Sequence, residues 1–414
     1  MARKKGSLNK VKDSNIIKTI KLNKFIENSP SINDNTPYKW VNWGYDNKFP
    51  LFLLDLYHNS IIHKSSIDFL VSAILGEGID YEAMEMADTE SFPNFNDTWD
   101  SFMGKIALDY LLYGSFAFQI IKNRDNKSYS FFHQPFSTVR LGKKNDKNEI
   151  KYAYICKDWS NTVANKPIEI EVFNFIDDID IPKGKPYLFT YIDYNVFDEY
   201  YSSPSYISAI DAIRTDISLK NYDLNAVFNN FTPSGILTLN QVADDDERNM
   251  ILKNIEATFT NSDNANNLII TFRNSLEDEP AKFTPISANV DNVNIFSDCN
   301  ERTINRILAA HKIASKGLIG LPIDKSGFAS EGQLLQAAYN LLEKTTVGNY
   351  RKKIVNYINK LLSMNGIDTK IIIKTLSLNL IENKKEVKEE PKNVGDGTET
   401  VDKVTDDNSE NDKN

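Results

Sequence analysis

SSPSYISAIDAIRTDISLKNYDLNAVFNNFTPSGIL, residues 202–237, decides the architecture. Ser202-Ser203-Pro204 has the form of a helix start, with capping serines followed by proline at the first helical position. Apolar residues then fall at Tyr206, Ile210, Ile213, Ile217, Leu224, Val227 or Phe228, and Phe231, three or four apart with one lapse at Lys220. Asp211, Arg214, Ser218, Asn221 and Asn225 lie off this narrow seam. The spacing predicts a helix of about 27 residues, roughly 40 Å long, closed by Thr232-Pro233-Ser234-Gly235. The seam suits either contact with a sister chain or burial in the chain's own fold.

Downstream, residues 236–290 form a compositional island. Ile236–Leu239, Leu268–Phe272 and Ala281–Ile286 have strand character, and Asp244–Phe259 has helix character with acidic residues at its start. Asp298 and Glu301 have capping-box spacing ahead of a second helix carrying Ile304, Ile307, Leu308 and His311 to about Ser315. Lys316-Gly317-Leu318-Ile319-Gly320-Leu321-Pro322 breaks it. A long helix follows from Ser330 through Leu334, Leu342, Ile354, Ile358 and Leu361, kinked at Gly348, with a short strand at Lys370–Leu376.

Upstream, Tyr38–Tyr201 reads as helices followed by strands. Helices are expected around Leu53–Tyr57, over Ile61–Ile74 ending at Gly76-Glu77-Gly78, and over Asn96–Leu112 ending at Gly114. Strands are expected at Phe116–Lys122, Tyr129–Phe132, Ser137–Leu141, Ile150–Cys156, Ile168–Asn174 and Tyr187–Ile192. The class is α+β with a largely antiparallel sheet.

The chain has 414 residues, 41% hydrophobic and 25% charged, which suits globular cores. There is no apolar run long enough to cross a membrane and no apolar leader at the N-terminus, so no membrane partner is expected. Cys156 and Cys299 are the only cysteines, so a disulfide framework is not expected and a reducing cytosol fits. Residues 1–24 carry eight Lys/Arg against one Asp, and residues 382–414 carry eleven Asp/Glu against six Lys. The first is expected to be a mobile basic arm and the second a disordered acidic tail. The total is −9, so the body between them is acidic, which disfavours a tight static grip on nucleic acid and leaves transient contact open.

Catalytic signatures are missing. No phosphate-binding P-loop or paired-glycine dinucleotide fingerprint occurs, and no nucleophile–base grouping stands out. His58 and His63 are five apart, the wrong spacing for two ligands on one helical face. Asp244-Asp245-Asp246-Glu247 lacks calcium-loop spacing and reads as a solvated helix start. No enzyme activity, catalytic residue, metal or cofactor is expected.

The order of these segments resembles the portal proteins of tailed bacteriophages, from Tyr38 to about Leu362. Trp40–Asp46 with Phe49-Pro50, and Ile61–Gly78, resemble the family's N-terminal segment and the helix that follows it. Leu111–Phe116, Gln134–Arg140 and Tyr201–Ser205 resemble later steps, the last being the entry to the stem helix. Phe228-Asn229-Asn230-Phe231-Thr232-Pro233-Ser234-Gly235-Ile236-Leu237 resembles its exit, and Ile313–Gly320 the opening of the tunnel loop. Ser203 stands where the family often has glycine. Lys316-Gly317 replace the usual prolines before Gly320, with Pro322 later.

The resemblance implies an α+β portal fold: an N-terminal basic arm (1–37), an α/β wing (38–200), a stem helix (203–231), a small α/β clip (233–290) and a second stem helix (292–315). A tunnel loop (316–329), a long wing and crown helix region (330–380) and the acidic tail (381–414) complete it. It implies a ring, usually of twelve copies, at one capsid vertex of the virion, assembled in the host cytoplasm. The ring would conduct double-stranded DNA during packaging and ejection. Its partners would be further copies of itself, the terminase large subunit, a head–tail adaptor and the major capsid protein. Lys316, Leu321, Pro322 and Lys325 would line the tunnel loop, and Arg302, Arg306 and Lys312 would be lumenal stem charges. Ile210, Ile213, Ile217 and Leu224 would form the subunit interface. The competing readings are another virion component, such as an adaptor or minor capsid protein, and a metal-dependent DNA-processing enzyme. The latter would need clustered carboxylates.

Overall fold

The computed structural model describes residues 37–86, 92–125, 127–176, 181–196, 198–228, 235–239, 246–247, 249–251, 253–254, 268–272, 282–284, 290–323 and 328–376. The chain divides into two units, Met1–Ser377 and Leu378–Asn414, and every described residue belongs to the first. The expected arm up to residue 36, the acidic tail, Lys325 and much of the 233–290 island lie outside the described residues.

Among the described residues three helices come first: α1 (Phe49–Asn59), α2 (Ile61–Leu75) and α3 (Trp99–Tyr113). Ser60 caps α2, its side chain accepting from the His63 amide, and Thr98 caps α3 by accepting from the Ser101 amide. The Thr98 cap explains why α3 starts later than Asn96. Gly114 ends α3 in the left-handed region at φ 70, where a Cβ would lie 3.0 Å from Ser202 Oγ and from Ser203 O.

A six-stranded sheet follows: β1 (Ser115–Lys122), β2 (Tyr129–Gln134), β3 (Val139–Leu141), β4 (Tyr152–Ile155), β5 (Ile168–Val172) and β6 (Pro186–Ile192), in the order β2-β1-β6-β5-β4-β3. Every pairing is antiparallel except β5–β6, where Val172 sits opposite Leu188. The strand expected from Ser137 starts only at Val139, because Phe136–Thr138 form a 3-10 turn.

Two long helices come next, α4 (Ile210–Phe228) and α5 (Val290–Ala310), which pack on each other. Between them lies a three-stranded sheet of β7 (Gly235–Leu239), β8 (Leu268–Phe272) and β9 (Lys282–Thr284), ordered β8-β7-β9. β7 and β8 run parallel with Ile236 opposite Ile269, and a parallel pair needs a crossover. The described residues among 246–254 are helical, as that crossover requires.

The last helices among the described residues are α6 (Phe328–Leu342) and α7 (Gly348–Met364), joined by a π-helical turn at Glu343–Val347. The irregularity expected at Gly348 therefore lies just before it: Gly348 itself is helical, and Thr345 Oγ1 donates to Leu341 O at 2.7 Å within the widened turn. No strand forms at 370–376. That segment crosses the irregular turn after α2, where Ile373 makes one bridge to Ile79, so no ladder can extend.

The core lies between the sheet and the flanking helices. Tyr357 of α7 sits against Phe189 at 4.9 Å and Tyr191 at 5.3 Å between ring centroids. Arg140 on β3 is fully buried, and among the described residues it is bonded to no carboxylate. Its guanidinium donates to Asn47 Oδ1 and O, Ser137 O and Val139 O, and stacks over Trp159 at 4.8 Å. Carbonyl dipoles and π faces thus solvate the charge. Burial lowers the guanidinium to about 10, which leaves it protonated at neutral pH.

Candidate functional site

The roots of α4 and α5 are the region in which the sequence placed function. Ser202 and Pro204 do not cap α4. Ser202 is buried and donates to Tyr113 O at 2.7 Å while meeting the Ser115 hydroxyl, so it fastens the chain to the corner between α3 and β1. Tyr206 follows, fully buried, its hydroxyl donating to Leu112 O at 2.8 Å. A 3-10 turn at Ile207–Ala209 then leads into α4.

The apolar seam of α4 divides in two. Ile213 is 0% exposed inside the chain's own core, so it has no face to offer a sister chain. Ile210 and Ile217 are half-buried and pack against the same core. Leu224 is 53% exposed and its neighbour Tyr222 is 49% exposed. The lapse at Lys220 has a structural cause: its ammonium donates to Asn59 O, at the end of α1, at 2.5 Å. One turn earlier, buried Asp216 accepts from Ser60 Oγ at 2.6 Å. A cation at a helix C-terminus and a carboxylate bonded to a capping serine tie the first half of α4 to the α1–α2 corner.

On α5, Thr303, Ile307 and Leu308 are buried, while Arg302 and Arg306 are exposed one turn apart. Asp298 and Glu301 lie inside the helix, which already begins at Val290, so they form no capping box. The exposed acids Asp298 and Glu301 therefore precede the exposed arginines along the helix. Lys312 lies just past α5, not on it. It is exposed and takes the left-handed φ of 60 at which the helix ends.

The segment beyond is a 3-10 turn, Lys316–Ile319, capped by the Ser315 side chain and closed by Gly320. Lys316 is partly covered and lies 3.6 Å from Glu301. Leu321 is half-buried and Pro322 exposed. A Cβ on Gly317 would lie 2.5 Å from Ile323 Cδ1 and 2.8 Å from Leu335 Cδ2, so this glycine lets the turn sit down on α6. That close approach accounts for a glycine where a proline was expected.

Sequence reasoning missed a contact between residues 248 positions apart. His63 Nδ1 on α2 and His311 Nε2 at the end of α5 are 2.9 Å apart, both fully or almost fully buried. The Tyr206 ring lies 4.4 Å from His63 and 5.4 Å from His311, centroid to centroid. Burial lowers His311 to about 4, and burial together with His311 lowers His63 to about 2, so both rings are neutral at pH 7. The available signal was that His63 stands on the apolar face of α2 and that His311, one residue past α5, continues the apolar spacing of Ile304, Ile307 and Leu308.

Among the described residues no group of three or more His, Cys, Asp and Glu side chains is placed to hold a metal ion. Cys156 and Cys299 are free thiols. A cavity of about 310 Å3 opens beside the start of α1, lined by Gly44, Tyr45, Asp46, Phe49, Leu51 and Asp55 among others, with no histidine, cysteine or serine in its wall. No described helix is long and apolar enough to cross a membrane.

No family model matches the sequence, and no curated protein matches it significantly. Solved structures do match in fold. A chain from the neck of an empty gene transfer agent particle, computed with C6 symmetry, aligns at TM-score 0.51 and 13% identity, covering 80% of this chain and 85% of that one. A chain from the virion of the native particle aligns at TM-score 0.50 and 12% identity, covering 80% and 84%. A chain from the neck of the native particle, computed with C12 symmetry, gives TM-score 0.50 and 13% identity, covering 80% and 85%. Over most of its length, this chain shares its α+β fold with chains of a phage-like particle neck, in accord with the portal resemblance of its sequence.

Proposed function

We propose that the chain is a portal subunit. Copies of it, twelve in the usual arrangement, form a ring at one capsid vertex that conducts double-stranded DNA during packaging and ejection. The terminase large subunit and a head–tail adaptor dock on that ring, and the major capsid protein surrounds it. The observation that carries this reading is the pairing of α4 with α5: two long helices rooted side by side in the α+β body, with a small sheet between them in sequence and a tight turn after them. That is the order of stem, clip, stem and tunnel loop. The symmetric necks to which the matched chains belong support it.

In this reading Ile213 serves the fold, and the ring contact falls on apolar residues left open. Leu224 on α4, with Leu334 and Leu341 at 58% and 56% exposure on α6, are such positions. Arg302, Arg306, Lys312 and Lys316 make brief contacts with phosphate, while the acidic background limits sticking. Electron micrographs of the concentrated, folded protein test the proposal. Rings with a central bore are expected; a field of monomers alone overturns it.

A further inference from the structure

We propose that the buried contact between His63 and His311 is a proton-operated latch: it holds the end of α5, and the turn that follows, against α2 while both rings are neutral, and lets go when protons enter. The inference stands on the single chain and does not depend on what the chain assembles into.

The geometry makes the contact intolerant of protons on both rings. Two neutral imidazoles carry one N–H each, so the 2.9 Å contact is a donor facing a lone pair. If both rings are protonated, two N–H groups face each other. The other edge is no better placed. His63 Nε2 is buried without a hydrogen-bond partner, so a proton there becomes a buried cationic donor with nothing to accept it.

Among the described residues the surroundings supply no counter-charge. Tyr206 offers its ring, and its hydroxyl is committed to Leu112 O. On α2, Lys64 is bonded to Asp68 and Tyr57. On α4, Asp216 is held by Ser60 and Lys220 by Asn59 O. Beyond α5, Lys312 is exposed and Lys316 faces Glu301. At the far end of α2, Arg351 of α7 is paired with Glu343 and donates to Ile74 O. Among the described residues no carboxylate acts on either imidazole: burial lowers both, joined for His63 by His311.

A ring freed from this site returns to the ordinary imidazole value of about 6.5, whereas the closed values are about 4 for His311 and about 2 for His63. Opening therefore takes up protons. The closed joint has its full stability above about pH 6.5 and loses it as pH falls toward about 4. Between pH 7.5 and 5.5 opening becomes about tenfold more favourable per histidine, or about a hundredfold for the pair. The freed segment leads into the following turn: His311 precedes Lys312, where the helix ends in the left-handed region, and Ile313, whose amide donates to Leu308 O at 2.9 Å.

Hydrogen–deuterium exchange of the full chain at pH 7.5 and 5.5, corrected for intrinsic exchange, tests this. Amides of Ile307–Ile313 are expected to lose about a hundredfold in protection, while β1 and β6 keep theirs as an internal reference. In His311→Gln the loss should shrink to about tenfold, and in His63→Gln with His311→Gln it should vanish. Protection at Ile307–Ile313 that ignores pH, or an equal loss in β1 and β6, overturns the latch. Should the variants fail to fold, ring-proton NMR of the unaltered chain decides: both imidazoles titrating near 6.5 in the folded protein overturns it, and titration well below that supports it.

Discussion

Ile213→Ala separates the two roles open to the α4 seam. Ile213 is 0% exposed and belongs to the same cluster as Tyr206, Ala209 and Ile307. Truncation removes three buried carbons and leaves a cavity, at a cost of about 2–5 kcal/mol. The loss falls on the isolated chain. At roughly 2–4 °C per kcal/mol for a domain of about 150–250 residues, the melting temperature drops by about 4–20 °C. Leu224→Ala is the control: the side chain is 53% exposed, so the isolated chain should change by less than about 0.5 kcal/mol. Thermal melts followed by circular dichroism, at a concentration where the chain is monomeric, compare the two. Size-exclusion chromatography with light scattering then reports assembly at high concentration, where Leu224→Ala should be the variant that self-associates less. An Ile213→Ala chain that melts like the wild type but fails to assemble would refute the assignment of Ile213 to the core.

Replacing Leu334 and Leu341 together by Asp should leave folding within about 0.5 kcal/mol and abolish rings in electron micrographs; intact rings would remove α6 from the interface. Lys220→Ala should cost about 1 kcal/mol, read as faster amide exchange in the last turn of α1, since Asn59 O loses its cationic donor. Gly317→Ala should lower the melting temperature through an overpacking cost of about 1–3 kcal/mol, because the new methyl meets Ile323 and Leu335; an unchanged melt would mean the turn does not sit on α6. Lys316→Ala with Lys325→Ala should alter DNA packaging or retention with rings intact, and unchanged packaging would remove their role.

The parts legible in sequence were those governed by neighbours along the chain. The ends of α2 and α3 were marked by Gly76 and Gly114 because only glycine enters those backbone conformations freely. The six strands of the larger sheet followed from alternation, and β7 and β8 from short apolar runs between turn residues. Local signals misled where a distant partner competed for the same atoms. Ser202 looked like a cap and was claimed by Tyr113 O. Asp298 and Glu301 had capping spacing inside a helix already running from Val290. Residues 370–376 had strand composition and met a turn.

The sequence by itself determined the element order, the α+β class and the presence of two long amphipathic helices, because hydrophobic period and helix-ending glycines act over a few residues. Only the tertiary structure decided which half of the α4 seam is interior, why Lys220 interrupts it, and that His63 meets His311. Those outcomes depend on which surfaces pack together across 161 and 248 positions of chain, and periodicity carries no information about the partner at that range.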